Sequence, residues 1–187
     1  MSATARTLLV GLLVLSATSD RMAARVSPQR TSQGTAQATT PVAADTVRIG
    51  MLRNGTSYDV VSLPMEVYVA RVLAGEAAPE SPPAALEALA IAIRTYTVTN
   101  RARHAADGFD LCDQTHCQVV RSLTPVTERA AAATAGRVLM YRGDIANIYY
   151  SASCGGRTEI PSAVWPGTDD PPYLPSRTDD ACEGTPE

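Results

Sequence analysis

The chain predicts an α+β domain in which β-hairpins pack with two to three helices. Two alternating apolar runs flank an Asn54-Gly55 pair, a strong short-range hairpin signal. From Leu63 to Asn100 the apolar spacing becomes helical in two runs separated by a proline-rich turn. The composition, 187 residues with 45% hydrophobic content and a net charge of -3, suits one domain with extensions. No basic patch is present, so nucleic acid is not an expected partner.

The N-terminus reads as an export signal followed by a linker. Arg6 precedes a short apolar core from Leu8 to Leu15, and small residues Ser16 to Ser19 follow, so residues 1–19 are expected to be a signal peptide. That core is too short to cross a hydrocarbon layer of about 30 Å, so no stable transmembrane span is expected. Residues 20–45 are rich in Thr, Gln, Ala and Ser without hydrophobic periodicity, the composition of a flexible, disordered linker. The domain is therefore expected over residues 46–187.

Its first hairpin runs from Thr46 to Leu52 and from Ser57 to Ser62, and leads directly into a helix. Pro64 suits a first turn, and Met65, Val69 and Val72 form one stripe. Glu76 continues that stripe 11 residues after Met65, next to Gly75, a residue that often marks a helix end. A carboxyl group at the edge of an apolar face, at the negative end of a helix dipole, is disfavoured in its charged form. General acids are kept protonated in this way. The plainer alternative is a solvent-exposed residue at a helix end.

In the second helix Ser81 is the expected cap, Pro82 the first position, and Leu86, Leu89, Ala90 and Ile93 the buried stripe. Glu87 and Arg94, seven residues apart, share another face. A third helix is expected from Thr124-Pro125 through Thr134, ended by Gly136. A second hairpin is expected from Val138 to Tyr141 and Ile145 to Ser151, around Arg142-Gly143-Asp144. It leads to Ser153 and to Gly155-Gly156, where backbone can approach a ligand and hydroxyls can bond one. An ordinary turn explains the same residues.

Both histidines and two of the four cysteines fall between these helices. His104, Cys112, His116 and Cys117 offer the imidazole and thiolate donors that zinc prefers, and four of them would close a tetrahedral structural site. A Cys112–Cys117 disulfide, or two reduced thiols with a solvated histidine, uses the same residues. With that pair assigned locally, Cys154 and Cys182 would bridge a loop carrying Trp165 and Tyr173, one of three complete pairings.

The stretches PMEVYVARVLAGEAAPES, ALEALAIAIRTYTVTN, DLCDQTHCQVV, YYSASCGGRTE and PPYLPSRTDDAC, in that order from about Val47 to the C-terminus, resemble the SpoIID family of cell-wall proteins. The resemblance implies a bacterial protein exported to the periplasm or cell envelope, with a glycan-binding cleft where Glu76, Arg94 and the Gly155-Gly156 turn converge. It implies a lytic transglycosylase that acts on peptidoglycan glycan strands with Glu76 as catalytic acid. Arg94, Tyr150 and Tyr173 match cleft-lining positions, and Ser153, Gly155 and Gly156 fall to the cleft on the same ground. Similar Cys/His clusters in some members bind zinc. The chain departs from the family at Glu87 and Leu89, where members often carry Lys and Gln, and members commonly continue past the position of Glu187. Some relatives enhance cell-wall amidases, so a peptidoglycan-binding module with an amidase partner is the second reading. With a single Trp and a single Phe, tyrosines must supply most of any sugar-stacking surface.

Overall fold

The structure is a computed structural model that describes residues 45–151 and 153–180. The expected signal peptide, nearly all of the linker and Cys182 lie outside these residues. Mixed strands and helices make the domain α+β. In chain order they are β1 (Thr46–Arg53), β2 (Ser57–Pro64), α1 (Met65–Glu76), α2 (Pro83–Thr99), β3 (Leu111–Cys112), α3 (Pro125–Ala133), β4 (Met140–Tyr141), β5 (Asp144–Ile145), β6 (Arg157–Thr158), α4 (Pro161–Val164) and β7 (Arg177–Thr178).

β1 and β2 form the expected hairpin, paired from Thr46 opposite Pro64 to Arg53 opposite Ser57. Asn54 and Gly55 take φ of 50° and 76°, the left-handed pair that a tight hairpin turn requires. Period-two alternation buries Val47 and Ile49. β3 joins the other edge of β1 in parallel, pairing Ile49 with Leu111 and Gly50 with Cys112, so the order is β2-β1-β3. That addition places Cys112 beside the centre of the domain.

α1 follows β2 without a loop, because Pro64 ends the strand with a φ of -55° that already suits a helix start. It buries Met65, Tyr68, Val69, Ala70, Val72 and Leu73. α2 begins at Pro83 with Pro82 as its cap, and no side chain caps it, which corrects the expected role of Ser81. Two consecutive prolines leave few free N–H groups for a serine hydroxyl to satisfy. α3 has a reciprocal cap: the Thr124 hydroxyl accepts from the Thr127 N–H, and Thr127 bonds the Thr124 N–H in return.

The second hairpin is shorter than expected. β4 and β5 pair over two residues each around Arg142-Gly143, with Asp144 opposite Tyr141 rather than in the turn. One further cross-strand bond, from the Ala146 N–H to the Leu139 carbonyl at 2.9 Å, follows the two-residue strands, and Ala146 and Ile148 turn into the interior, at 5% and 6% exposure. Burying those two side chains outweighs extending an exposed two-stranded ribbon.

An ion pair buried on its arginine side ties the helices together. Arg94 on α2 reaches Glu66 on α1 through both its Nε, 3.0 Å from Oε1, and its terminal nitrogen. The same guanidinium donates to the carbonyls of Arg137 at 2.9 Å and Ala131 at 3.3 Å, and the Gly136 N–H donates to Glu66 Oε1 at 3.1 Å. A planar guanidinium with five donors suits such a junction, whereas lysine would leave most of these acceptors unmatched. No helix among the described residues is long and apolar enough to cross a membrane.

Candidate functional site

Glu76 closes α1 and is half-buried. Its Oε1 accepts from the backbone N–H of Val119 at 2.7 Å. The segment holding Val119 runs along the last turn of α1: Arg121 N–H donates to the Arg71 carbonyl at 3.0 Å, and Arg71 Nε donates to the Arg121 carbonyl at 3.1 Å. Gly75 permits this approach. A Cβ at that position would lie 2.3 Å from the Val119 carbonyl oxygen. Gly75 is therefore a residue of close packing inside the helix, and the helix ends one residue later.

Gln118, next in the chain to Val119, is a fully buried amide at the centre of a polar network. Its oxygen accepts from the Tyr68 hydroxyl at 2.8 Å and lies 2.9 Å from the Thr97 hydroxyl, whose one hydrogen is shared with the Ile93 carbonyl at 2.7 Å. Its nitrogen donates to the Ile93 carbonyl at 3.3 Å and the Tyr150 oxygen at 2.8 Å. Burial pushes the Tyr150 phenol well above the ordinary tyrosine range, and the Glu76 charge pushes it further in the same direction. Tyr150 is thus a protonated phenol within the electrostatic reach of Glu76. Neither Gln118 nor Val119 was singled out from the sequence; a glutamine between Cys117 and two valines was the available signal.

The second cluster adjoins the first along the chain. His104, Cys112, His116 and Cys117 bring one donor atom each to within 4.8 Å of one another. His104 Nε2 and Cys112 Sγ each lie 3.2 Å from His116 Nε2. His104 Nδ1 contacts Asp107 Oδ2 at 2.8 Å, and the ring stacks on Phe109 with centroids 4.8 Å apart. The carboxylate holds the proton on Nδ1 and leaves Nε2 directed into the cluster, a common support for a metal-bound histidine. Cys112 and Cys117 are both free thiols, which corrects the alternative of a disulfide between them.

The donor set fits a tetrahedral dication. Burial, with His104 beside it, lowers His116 and favours the neutral form that binds a metal. Two thiols and two imidazoles crowded together gain from one cation that accepts all four lone pairs, and zinc matches these ligand types.

The other expected site residues are placed elsewhere. Arg94 is 2% exposed, with its guanidinium engaged at the helix junction. Tyr173 packs on Tyr141, with centroids 4.7 Å apart, and its hydroxyl accepts from the Asn147 N–H at 3.1 Å. Gly155 and Gly156 take φ of 63° and 91° in the turn into β6, where the Gly155 N–H donates to the Ser153 hydroxyl at 3.3 Å. That left-handed geometry accounts for both glycines without a ligand. The expected partner of Cys154, Cys182, lies outside the described residues.

Residues 53–141 match the model of the family described as Stage II sporulation protein, SpoIID. The chain is 34% identical over 116 residues to an uncharacterized protein of Brachyspira hyodysenteriae, covering 60% of this chain and 32% of that one. It is 36% identical over 97 residues to the amidase enhancer of Bacillus subtilis, covering 51% and 13%. It is 30% identical over 139 residues to the stage II sporulation protein D of Bacillus amyloliquefaciens, covering 65% and 40%. The chain thus spans less than half the length of each of these relatives.

Proposed function

Residues 53–141 belong to the SpoIID family, and from that premise we propose that the protein is an exported bacterial lytic transglycosylase of the cell envelope. It cleaves the bond between N-acetylmuramic acid and N-acetylglucosamine in peptidoglycan strands, preferring those stripped of stem peptides, and leaves 1,6-anhydro ends. Glu76 protonates the glycosidic oxygen as the bond to C1 breaks. The resulting carboxylate takes the proton of the muramic acid C6 hydroxyl as that oxygen attacks C1. One carboxyl group is restored, and no water is consumed.

The observation that carries this reading is the commitment of the carboxylates on β2, on α1 and before β3 to other partners. A hydrolase needs two carboxyl groups about 5 to 10 Å apart across the scissile bond. Glu66 is taken by Arg94 and Gly136, Asp59 by Arg53 at 2.6 Å, and Asp110 by the Arg48 backbone and guanidinium at 2.8 and 3.3 Å. Glu80 is exposed in the turn before α2. Glu76 lies within electrostatic reach of the protonated Tyr150 phenol, a constellation suited to one group acting twice.

His104, Cys112, His116 and Cys117 would hold zinc as a closed structural site. When bound, the ion supplies rigidity to the loop whose next residues, Gln118 and Val119, hold Tyr150 and Glu76. Ser153, Gly155, Gly156 and Tyr173 would contact more distant parts of the glycan, with Arg94 supporting the helices from within, and Cys154 would pair with Cys182.

Incubation of the full chain with amidase-treated peptidoglycan, with Glu76→Gln alongside, tests the proposal by mass spectrometry of soluble products. Anhydro ends from wild type alone are expected. A second reading, a peptidoglycan-binding module that enhances a cell-wall amidase, draws on the name of the Bacillus subtilis relative. It requires glycan binding without release by either protein, together with stimulation of an added amidase.

A further inference from the structure

The orientation of the Gln118 amide can be read from its partners. The Ile93 carbonyl only accepts, so the group 3.3 Å from it must be the amide nitrogen. The other end is then the oxygen, which receives the Tyr68 hydroxyl at 2.8 Å and faces the Thr97 hydroxyl at 2.9 Å, itself also 2.7 Å from the Ile93 carbonyl. The Tyr68 hydroxyl occupies the oxygen, and both hydrogens of the nitrogen are in use. The second hydrogen goes to the Tyr150 oxygen at 2.8 Å. A phenol that accepts from Gln118 cannot spend its own hydrogen there, and burial at this site keeps that hydrogen on the oxygen.

We propose that Gln118 is a positioning residue that turns the Tyr150 hydroxyl outward as a hydrogen-bond donor to a glycan oxygen beside Glu76. The proposal rests on the glycan reading above and adds a division of labour to it. Glu76 moves the proton, Tyr150 supplies a fixed donor, and Gln118 decides which way that donor points. Tyr68 acts one step further back by occupying the amide oxygen. The chain order Cys117-Gln118-Val119 lets one extended segment set both the phenol and the carboxylate.

Gln118→Glu keeps the size of the side chain but makes both terminal atoms acceptors, so Tyr150 would donate inward. Tyr150→Phe removes the donor altogether. Each single variant should lower strand cleavage roughly three- to tenfold, the worth of one hydrogen bond. The double variant should be no worse than Tyr150→Phe alone, with metal content and melting temperature held by that background. Losses that multiply in the double variant would overturn the proposal, because a purely structural role for Gln118 predicts independence. If Gln118→Glu fails to fold, Gln118→Met enters the same cycle, since it releases the phenol to rotate without adding a charge. If wild type binds denuded strands without cleaving them, the transglycosylase reading fails separately. The same cycle is then measured as affinity for those strands, where non-additive losses support the proposal and independent losses refute it.

Discussion

Gly75→Ala sets two forces of opposite sign against each other. Alanine in place of glycine inside an exposed helix would ordinarily stabilise it by about 1 kcal/mol. At this position, however, the new methyl would sit 2.3 Å from the Val119 carbonyl oxygen, 2.9 Å from the Val119 carbonyl carbon and 3.1 Å from its Cγ1. Two of these neighbours are backbone atoms, so no rotamer change relieves the clash. Ordinary contact begins at 3.4 Å, so the 119–121 segment must move by roughly 1 Å. Such overpacking costs about 1–3 kcal/mol, and the movement also strains the Val119 bond to Glu76, a hydrogen bond worth about 0.5–1.5 kcal/mol. The net expectation is a destabilisation of about 1–3 kcal/mol with at least a tenfold loss of strand cleavage. Urea unfolding measures the first and the release of soluble anhydro-muropeptides the second. A variant more stable than wild type, with full activity, would refute the close approach of Val119 to α1.

Glu66→Ala leaves the buried Arg94 guanidinium without its carboxylate and should cost about 3 kcal/mol or more by denaturant midpoint, whereas Glu66→Gln should cost less because it keeps an acceptor. Gly50→Ala would place a methyl 2.5 Å from the Phe109 ring, which stacks on His104, so zinc affinity should fall about tenfold in competition with a chromophoric chelator. Removal of zinc by a strong chelator should lower the melting temperature of wild type by several degrees, and Cys117→Ser should remove most of that difference; equal melting with and without chelator would argue against a structural metal.

The parts of this fold that were legible in the sequence are those decided by neighbours in the chain. Asn54-Gly55 predicts its hairpin because few other residue pairs enter the left-handed region so readily, and the stripe of Met65, Val69 and Val72 predicts the buried face of α1. The gathering of His104, Cys112, His116 and Cys117 was legible for a similar reason, since their spacing is short and their chemistry shared. What depended on distant partners was not. Periodicity gives Arg94 a face on α2 but not its partner Glu66, which is 28 residues away. Gln118 meets Tyr68 across 50 residues and Tyr150 across 32, so nothing local distinguishes it from any other glutamine. The shortened second hairpin has the same origin: Ala146 and Ile148 fit a strand pattern equally well whether they face a ladder or the core.

The central claim is that Glu76 cleaves the glycan without water, and the fate of solvent oxygen tests it most directly. Denuded peptidoglycan digested by wild type in oxygen-18 water should yield new muramic acid ends that carry no label and have the mass of the anhydro sugar, with none formed by Glu76→Gln. Labelled reducing ends that depend on Glu76 would contradict the account and show a hydrolase with a second carboxylate in play.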